Sequence, residues 1–477
     1  MTNDFHALDD IGWYGSAYLL TMCSMQLIYG RIYTFYPPKL VFLASIFLFE
    51  IGSVVCGAAP TSTAFIVGRA IAGLGASGII SGVIIIIVYT VPLEKRPVFV
   101  STMGAIFGIT SVISPLLGGV ITEKATWRWC FYINLPVGAV STLIVIFFLT
   151  LEPPADRDAK ASWKQQVIRL DPIGSILFLP GMVCLLLALQ WGGTEYEWSN
   201  GRIIALLVVS GVLLILFAVV QHFMKDNATV PTHIISQRSV FAGAIYAGCI
   251  GGSMNPLLYY LSIYFQALKN ASATKAGIMS LPLVLSLVVS SILAGATTQT
   301  IARGYYTQNL ILGSVIASVG TGLITTFRPD TGHAQWIGYQ FLYGFGCGLG
   351  MQQANLGAQT VLSRKDVSTG VSLMFFSQSF GGALFIAVAQ NLFASKLVDG
   401  VAGIPGLNSE DVLNVGATAL RSLVDPSQLN YLLIAYNAAL RDAFRVALGV
   451  TAFSIVGALL MEWRSVKPRK ENQEAKA

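Results

Sequence analysis

Thirteen stretches of this chain are apolar over about 20 residues or more, the length that crosses a hydrocarbon layer, and a polar break separates each from the next. They fall at 12–29, 39–58, 63–91, 97–121, 130–151, 172–191, 201–223, 240–268, 274–298, 304–327, 334–360, 369–394 and 442–462. Every run is too long for a strand of a membrane barrel, so the spacing predicts an all-α, multi-pass membrane protein. Charge placement agrees: only 11% of the 477 residues are charged, and those charges gather between the runs.

The net charge of +6 does not point to nucleic acid, because the basic residues are spread over many short loops. Summed by alternate loops, eighteen of the 29 Lys and Arg lie on the side that holds 30–39, ten on the other, and Arg69 inside a run. The richer side is expected to face the cytoplasm, with Met1 outside and the tail inside. The six cysteines stand singly in or beside the runs, so neither a disulfide framework nor a thiolate metal site is expected. The polar start, Met1-Thr2-Asn3-Asp4, lacks the basic segment of a removable signal peptide.

Two polar, charged interruptions organise the chain: a Pro-containing linker at 152–171 and a second at 224–239. The expected divisions are a helical half at 1–151, two intervening helices at 172–223, a second half at 240–463 and a cytoplasmic tail at 464–477. The plan is five, two and six spans.

Several motifs carry a resemblance. They are Trp13-Tyr14 with Tyr18-Leu19-Leu20; the loop Gly30-Arg31-Ile32-Tyr33-Thr34-Phe35-Tyr36-Pro37-Pro38-Lys39; Gly68-Arg69-Ala70-Ile71-Ala72-Gly73-Leu74-Gly75; Ser114-Pro115-Leu116-Leu117-Gly118-Gly119; and Trp127-Arg128-Trp129 with Asn134-Leu135-Pro136. Together they resemble the major facilitator superfamily, and within it the fourteen-span drug:proton antiporters of the fungal toxin-efflux type. The resemblance implies that the first run here is the family's second helix, the family's first being absent from this sequence. It further implies transport by rocking one helical half against the other around a midplane site.

Of the 23 acidic residues only Glu50 lies near the middle of a run, and of the basic ones only Arg69. Ionisable groups at such depth are functional candidates. At 1.5 Å per residue both lie roughly 9 to 12 Å beneath the same surface, on adjacent antiparallel helices, and are expected to be partners in proton coupling. The alternative is that Arg69 snorkels outward or fixes backbone carbonyls. Gly104, Gly108, Ser111, Pro115 and Gly118 recur three or four residues apart, a small-residue face suited to close helix packing. The resemblance makes this helix, with Gly119, the antiporter motif, although Ser114 stands where the family usually has Gly. It also makes Gly30, Arg31, Lys39 and Arg96 a cytoplasmic hinge loop, with Thr34 where the general motif has an Asp.

Candidate substrate contacts are the uncharged groups within later runs: Asn255, Tyr259, Gln340, Gln352, Gln353, Asn355, Gln359 and Gln378. Lacking fixed charge, they suit a bulky, amphipathic, largely neutral ligand; helix-to-helix hydrogen bonding is the alternative for each. There is no nucleotide-binding loop and no metal-ligand spacing, so no enzyme, cofactor or metal is expected. The partners expected are the bilayer, protons and an amphipathic small molecule. The expected function is secondary active, proton-coupled efflux of a toxin, drug or secondary metabolite at the plasma membrane or the vacuolar membrane. An importer of a small nutrient or chelate, or a non-transporting sensor or scaffold, are the alternatives.

Overall fold

A computed structural model describes residues 2–5, 10–151, 169–193, 195–300, 304–402, 407, 424–425 and 427–467. Its long helices are α1 (Ile11–Phe35), α2 (Pro38–Ala58), α3 (Ser62–Thr90), α4 (Arg96–Lys124), α5 (Asn134–Phe148), α6 (Pro172–Trp191), α7 (Gly201–Met224), α8 (Arg238–Ala267), α9 (Leu281–Gln299), α10 (Thr307–Ile324), α11 (His333–Gly350), α12 (Gln353–Val361), α13 (Val367–Val401) and α14 (Leu429–Leu460). Short helical turns at Trp129–Tyr132 and Ala273–Met279 lead into α5 and α9. Among the described residues, nine helices are long and apolar enough to cross a membrane. Their exposed faces carry Phe147, Phe148, Val208, Ile215 and Phe223, an outward apolar surface that water would not tolerate at this extent and lipid does.

The chain forms two compact units that interleave along the sequence: 1–96 with 117–241 and 358–376, and 97–116 with 242–357 and 377–477. The expected linker at 152–171 lies outside the described residues except for 169–171, and so does the tail beyond 467.

In the first unit α3 is the central helix, packed on both α1 and α2. Its glycines make this possible: a Cβ at Gly73 would strike Tyr18 O and Thr21 of α1, and one at Gly75 would strike the backbone of α2 at Ser45 and Phe49. Tyr33 then seals α1 to α3, its Oη donating to Gly78 O at 2.9 Å. The pair α6 and α7 is pinned by Asp171, fully buried, in left-handed backbone conformation at φ 51°. Its carboxylate accepts from Gly174 N (2.8 Å), Gln221 Nε2 (2.6 Å), Thr229 N (2.9 Å) and Thr229 Oγ1 (2.7 Å). Four donors offset the desolvation of this buried carboxylate.

In the second unit α11 holds the corresponding place between α9 and α10. Gly344 and Gly348 meet Leu283, Ser286, Leu287 and Ser290 of α9, while Gly346 meets Gly313 and Ala317 of α10. Unlike α3, α11 does not run on: a turn at Met351 and Gln352 separates it from α12. The last helix begins at Leu429, well before the expected 442. Arg441 Nε donates to Thr325 O at 2.7 Å, and Arg445 pairs with Asp442, so these charges are accommodated inside a continuing helix.

Candidate functional site

Glu50 and Arg69 lie on adjacent helices, α2 and α3, but do not pair. Arg69 donates from Nε to Tyr14 O at 2.7 Å, and its guanidinium carbon lies 4.4 Å from the centre of the Tyr18 ring. Both partners are on α1, four residues apart and therefore on one face, a cradle made of a carbonyl and an aromatic ring. Glu50 points elsewhere, into the space left by the missing side chain of Gly138 on α5, and its Oε2 is buried without a hydrogen-bond partner. Rotation explains the difference. Gly52 abuts Ala72 of α3, and at about 100° per residue a position two residues away faces the opposite side of α2.

The small-residue face of α4 divides. Gly104 and Gly108 lie against Ser291 and Val288 of α9, and Ser291 Oγ donates to Ser101 O at 3.3 Å. Ser114 is exposed, a Cβ on Gly118 or Gly119 would meet nothing within 4 Å, and of Pro115 only the backbone is described. Close packing is therefore a property of the first half of the stripe.

In the hinge loop, Arg31 is buried, donates from Nη2 to Arg169 O at 3.1 Å and lies 4.8 Å from the Phe35 ring centre. Lys39 Nζ donates to Ile146 O at 2.8 Å, and Arg96 donates to Val88 O and Val91 O, each at 2.9 Å. Gly30 abuts Ser372 and Thr369. These cations serve chiefly as caps on carbonyls of neighbouring segments.

The uncharged set is dispersed. Gln340 Nε2 donates to Met279 O and Trp336 O, each at 3.1 Å, while its Oε1 is buried and unpaired. Gln352 Oε1 accepts from Asn355 Nδ2 at 3.2 Å, leaving Asn355 Oδ1 buried and unpaired. Gln353 Oε1 accepts from Thr298 Oγ1 at 3.4 Å, and Thr298 in turn accepts from Asn309 Nδ2 at 2.8 Å. Both polar atoms of Gln359 are buried without partners. Asn255 Nδ2 donates to Gly251 O at 3.1 Å, Tyr259 is half exposed, and the backbone carbonyl of Gln378 abuts Gly251. Gln340 and Gln353 thus act partly as helix-to-helix ties, whereas Gln359 and Asn355 hold hydrogen-bonding capacity that the protein leaves unused.

Residues 1–386 match the model of the Major Facilitator Superfamily. The chain belongs to this family. An MFS-type efflux pump of Trichophyton rubrum is 51% identical over 98% of this chain and 87% of its own length. The efflux pump aflT of Aspergillus parasiticus is 49% identical, covering 98% and 91% of the two chains, and the rubrofusarin-specific efflux pump aurT of Gibberella zeae 48%, covering 98% and 85%. The fold is shared with solved superfamily structures: the human organic anion transporter MFSD10 (TM-score 0.57, 14% identity, 92% of this chain and 83% of that one) and the proton:xylose symporter XylE (TM-score 0.58, 13% identity, 97% and 88%).

Sequence reasoning did not single out Tyr14 and Tyr18 as the seat of Arg69, nor Gly138 as the wall beside Glu50. The four-residue spacing of the tyrosines was a usable signal, since it fixes a common face. Nothing in the local sequence marks Gly138, which is one of 47 glycines.

Proposed function

We propose that this chain is a secondary active efflux transporter that exports an amphipathic, largely neutral toxin, drug or secondary metabolite in exchange for protons, across the plasma membrane. The observation that carries the export reading is near-full-length similarity, at about half identity, to proteins whose names describe efflux pumps. The proton step falls to Glu50. It is a carboxylate in the middle of a membrane-spanning helix, with one oxygen buried and without a hydrogen-bond partner among the described residues, and such a group changes its interactions sharply on gaining a proton. Arg69, held by Tyr14 and Tyr18, acts in this reading by fixing α1 to α3 rather than by neutralising Glu50. Gln359, both of whose polar atoms are buried without a partner among the described residues, offers hydrogen bonds without charge, which suits a ligand bearing hydroxyl or carbonyl groups.

The test uses inside-out membrane vesicles holding the protein, with a fluorescent amphipathic dye outside. An acid-inside pH gradient should drive dye into the vesicles, and Glu50→Gln should remove that response at equal protein level. Dye entry that ignores the gradient, or a Glu50→Gln variant that keeps the response, defeats the proton assignment. Gradient-driven movement in the opposite direction favours the importer reading.

A further inference from the structure

Two carboxyl groups of the first compact unit sit where a glycine lacks a side chain, and their surroundings are opposite. Asp171 lies against Gly174 and accepts from four donors, a setting for a charged carboxylate. Glu50 lies against Gly138, where the three nearest atoms that a Cβ would meet are its own Oε1, Cδ and Cγ, and its Oε2 is buried without a partner among the described residues. The seat belongs to a seam between α2 and α5. Ser53, three residues beyond Glu50, accepts from Nδ2 of Asn134, four residues before Gly138, at 3.1 Å, and Gly57 lies against Tyr132. At the other end of the seam Lys39 Nζ donates to Ile146 O at 2.8 Å. The titratable groups of the surrounding elements are engaged elsewhere. Helix α5 has none between Asn134 and Phe148. On α3, Arg69 is turned to Tyr14 and Tyr18 of α1, and Tyr89 lies under Arg364 (4.7 Å). Tyr29 and Tyr33 of α1 cluster with Val41, the turn before α5 brings Cys130 and Tyr132, and Cys56 Sγ donates to Phe65 O (3.7 Å).

We infer that Gly138 is the positioning residue of the proton site: it seats the Glu50 carboxyl in its proton-bearing form, and the carboxyl leaves the seat when the proton is lost. The reason is desolvation. A neutral carboxyl tolerates a glycine Cα as its wall, against which it makes at most a weak C–H···O contact, whereas an anion buried there without a donor is heavily penalised. Gly138 also differs from the packing glycines. The missing side chains of Gly52 and Gly75 admit the backbone of a neighbouring helix, while that of Gly138 admits the head of a side chain that can turn away. Proton occupancy thereby sets how α2 and α5 meet between the fixed ties at Ser53 and Lys39. The assignment rests on Glu50 as the proton site proposed above.

The experiment treats the full chain in lipid nanodiscs, without substrate, with dicyclohexylcarbodiimide, which adds to carboxyl groups that carry their proton. The adduct at Glu50 is measured by peptide mass spectrometry between about pH 5 and about pH 8. The wild type should form the adduct near neutrality, where a carboxyl in water is charged. Gly138→Ala, whose new methyl group first meets Glu50 itself, should lower that adduct about tenfold or more, with the yield regained toward about pH 5. Glu50→Asp, whose carboxyl stops one methylene short of the seat, should lose the near-neutral adduct likewise, and it carries the test should Gly138→Ala fail to fold. Val137→Ala, at an exposed position beside the seat, should keep the wild-type profile. The seat is overturned by a wild type without adduct near neutrality, by a Gly138→Ala or Glu50→Asp profile that matches wild type, or by a Val137→Ala profile that moves as far as that of Gly138→Ala. Because no substrate enters, the two readings fail separately. A Gly138-sensitive adduct with dye entry that ignores the gradient leaves the seat without a role in export, and a gradient-driven, Glu50-dependent dye response with a Gly138-insensitive adduct leaves export without the seat.

Discussion

Helices α3 and α11 solve one packing problem with opposite chemistry. Each is the glycine-rich centre of its unit, and each lets two neighbouring helices approach closer than any side chain would allow, through Gly73 and Gly75 in one and Gly344, Gly346 and Gly348 in the other. Yet α3 runs unbroken for 29 residues and carries a cation in a cradle of tyrosines, whereas α11 stops after 18, turns, and buries the uncharged Gln340 and Tyr343. A charge in a membrane needs a fixed set of partners, which a rigid continuous helix supplies. Neutral groups such as Gln340 carry no such requirement, and the helix that holds them can be interrupted. The comparison teaches that the shared scaffold leaves the division of labour to a few polar positions.

Overpacking tests the shared part and should give the largest effect. Gly75→Val and Gly346→Val each press a side chain into the backbone of a neighbouring helix and should destabilise by about 3 kcal/mol or more, read as loss of the monodisperse peak in detergent. Gly338→Val, on α11 but facing open space, should leave that peak in place. If all three behave alike, close approach is not what the glycines provide.

The charged part of the contrast comes next. Arg69→Lys keeps the charge but loses the planar donor to Tyr14 O, and should cost about 2 kcal/mol, the range for hydrogen bonds from charged groups, seen as a lower melting temperature. On α11, Gln340→Leu removes two neutral donors and also the buried, unpaired Oε1, so its cost should stay below about 1 kcal/mol. Equal losses for the two would erase the distinction between a fixed charge site and a neutral one.

The smallest effect lies at the helix starts. Phe65 in the first turn of α3 packs on Trp127 and Phe5, and Trp127 Nε1 donates to Asp4 at 2.8 Å; at the start of α11 the corresponding tie is neutral, Gln335 Oε1 accepting from Gly332 N at 3.3 Å. The hydrogen bond from Trp127, aided by Arg128, holds the Asp4 carboxyl below its usual 3.8. A lowered folded-state value means that this contact contributes fully above the unfolded-state value and is lost as pH falls through the folded one. Tryptophan fluorescence should therefore report release at Trp127 only below about pH 4, and Asp4→Asn should abolish that change. A release centred near neutrality would contradict the assignment.

Where the sequence was readable and where it was not follows from these same residues. Helix positions followed from apolar run length, because a spanning segment can satisfy its backbone only within itself. The start of α14 did not, since Arg441, Asp442 and Arg445 read as a polar loop until Thr325 O and the internal pair are seen to absorb them. The placement of Glu50 and Arg69 on adjacent helices was legible from run order; rotation was not, and it is rotation that turns Glu50 toward Gly138. Of the uncharged candidates, residue type identified amides with capacity to bond, but only the fold separates Gln340 and Gln353, tied to neighbours, from Gln359, which is not.

The carboxylate of Asp171 has a further meaning when the chain is considered in the order it is made. Three of its four donors lie at Gln221 and Thr229, 50 and 58 residues downstream, so at the moment α6 enters the bilayer this acid has only Gly174 for company. Its full set of donors is therefore assembled only when α7 and the segment that follows it have been made, so the start of α6 is completed by residues that are the last of the α6–α7 hairpin to appear.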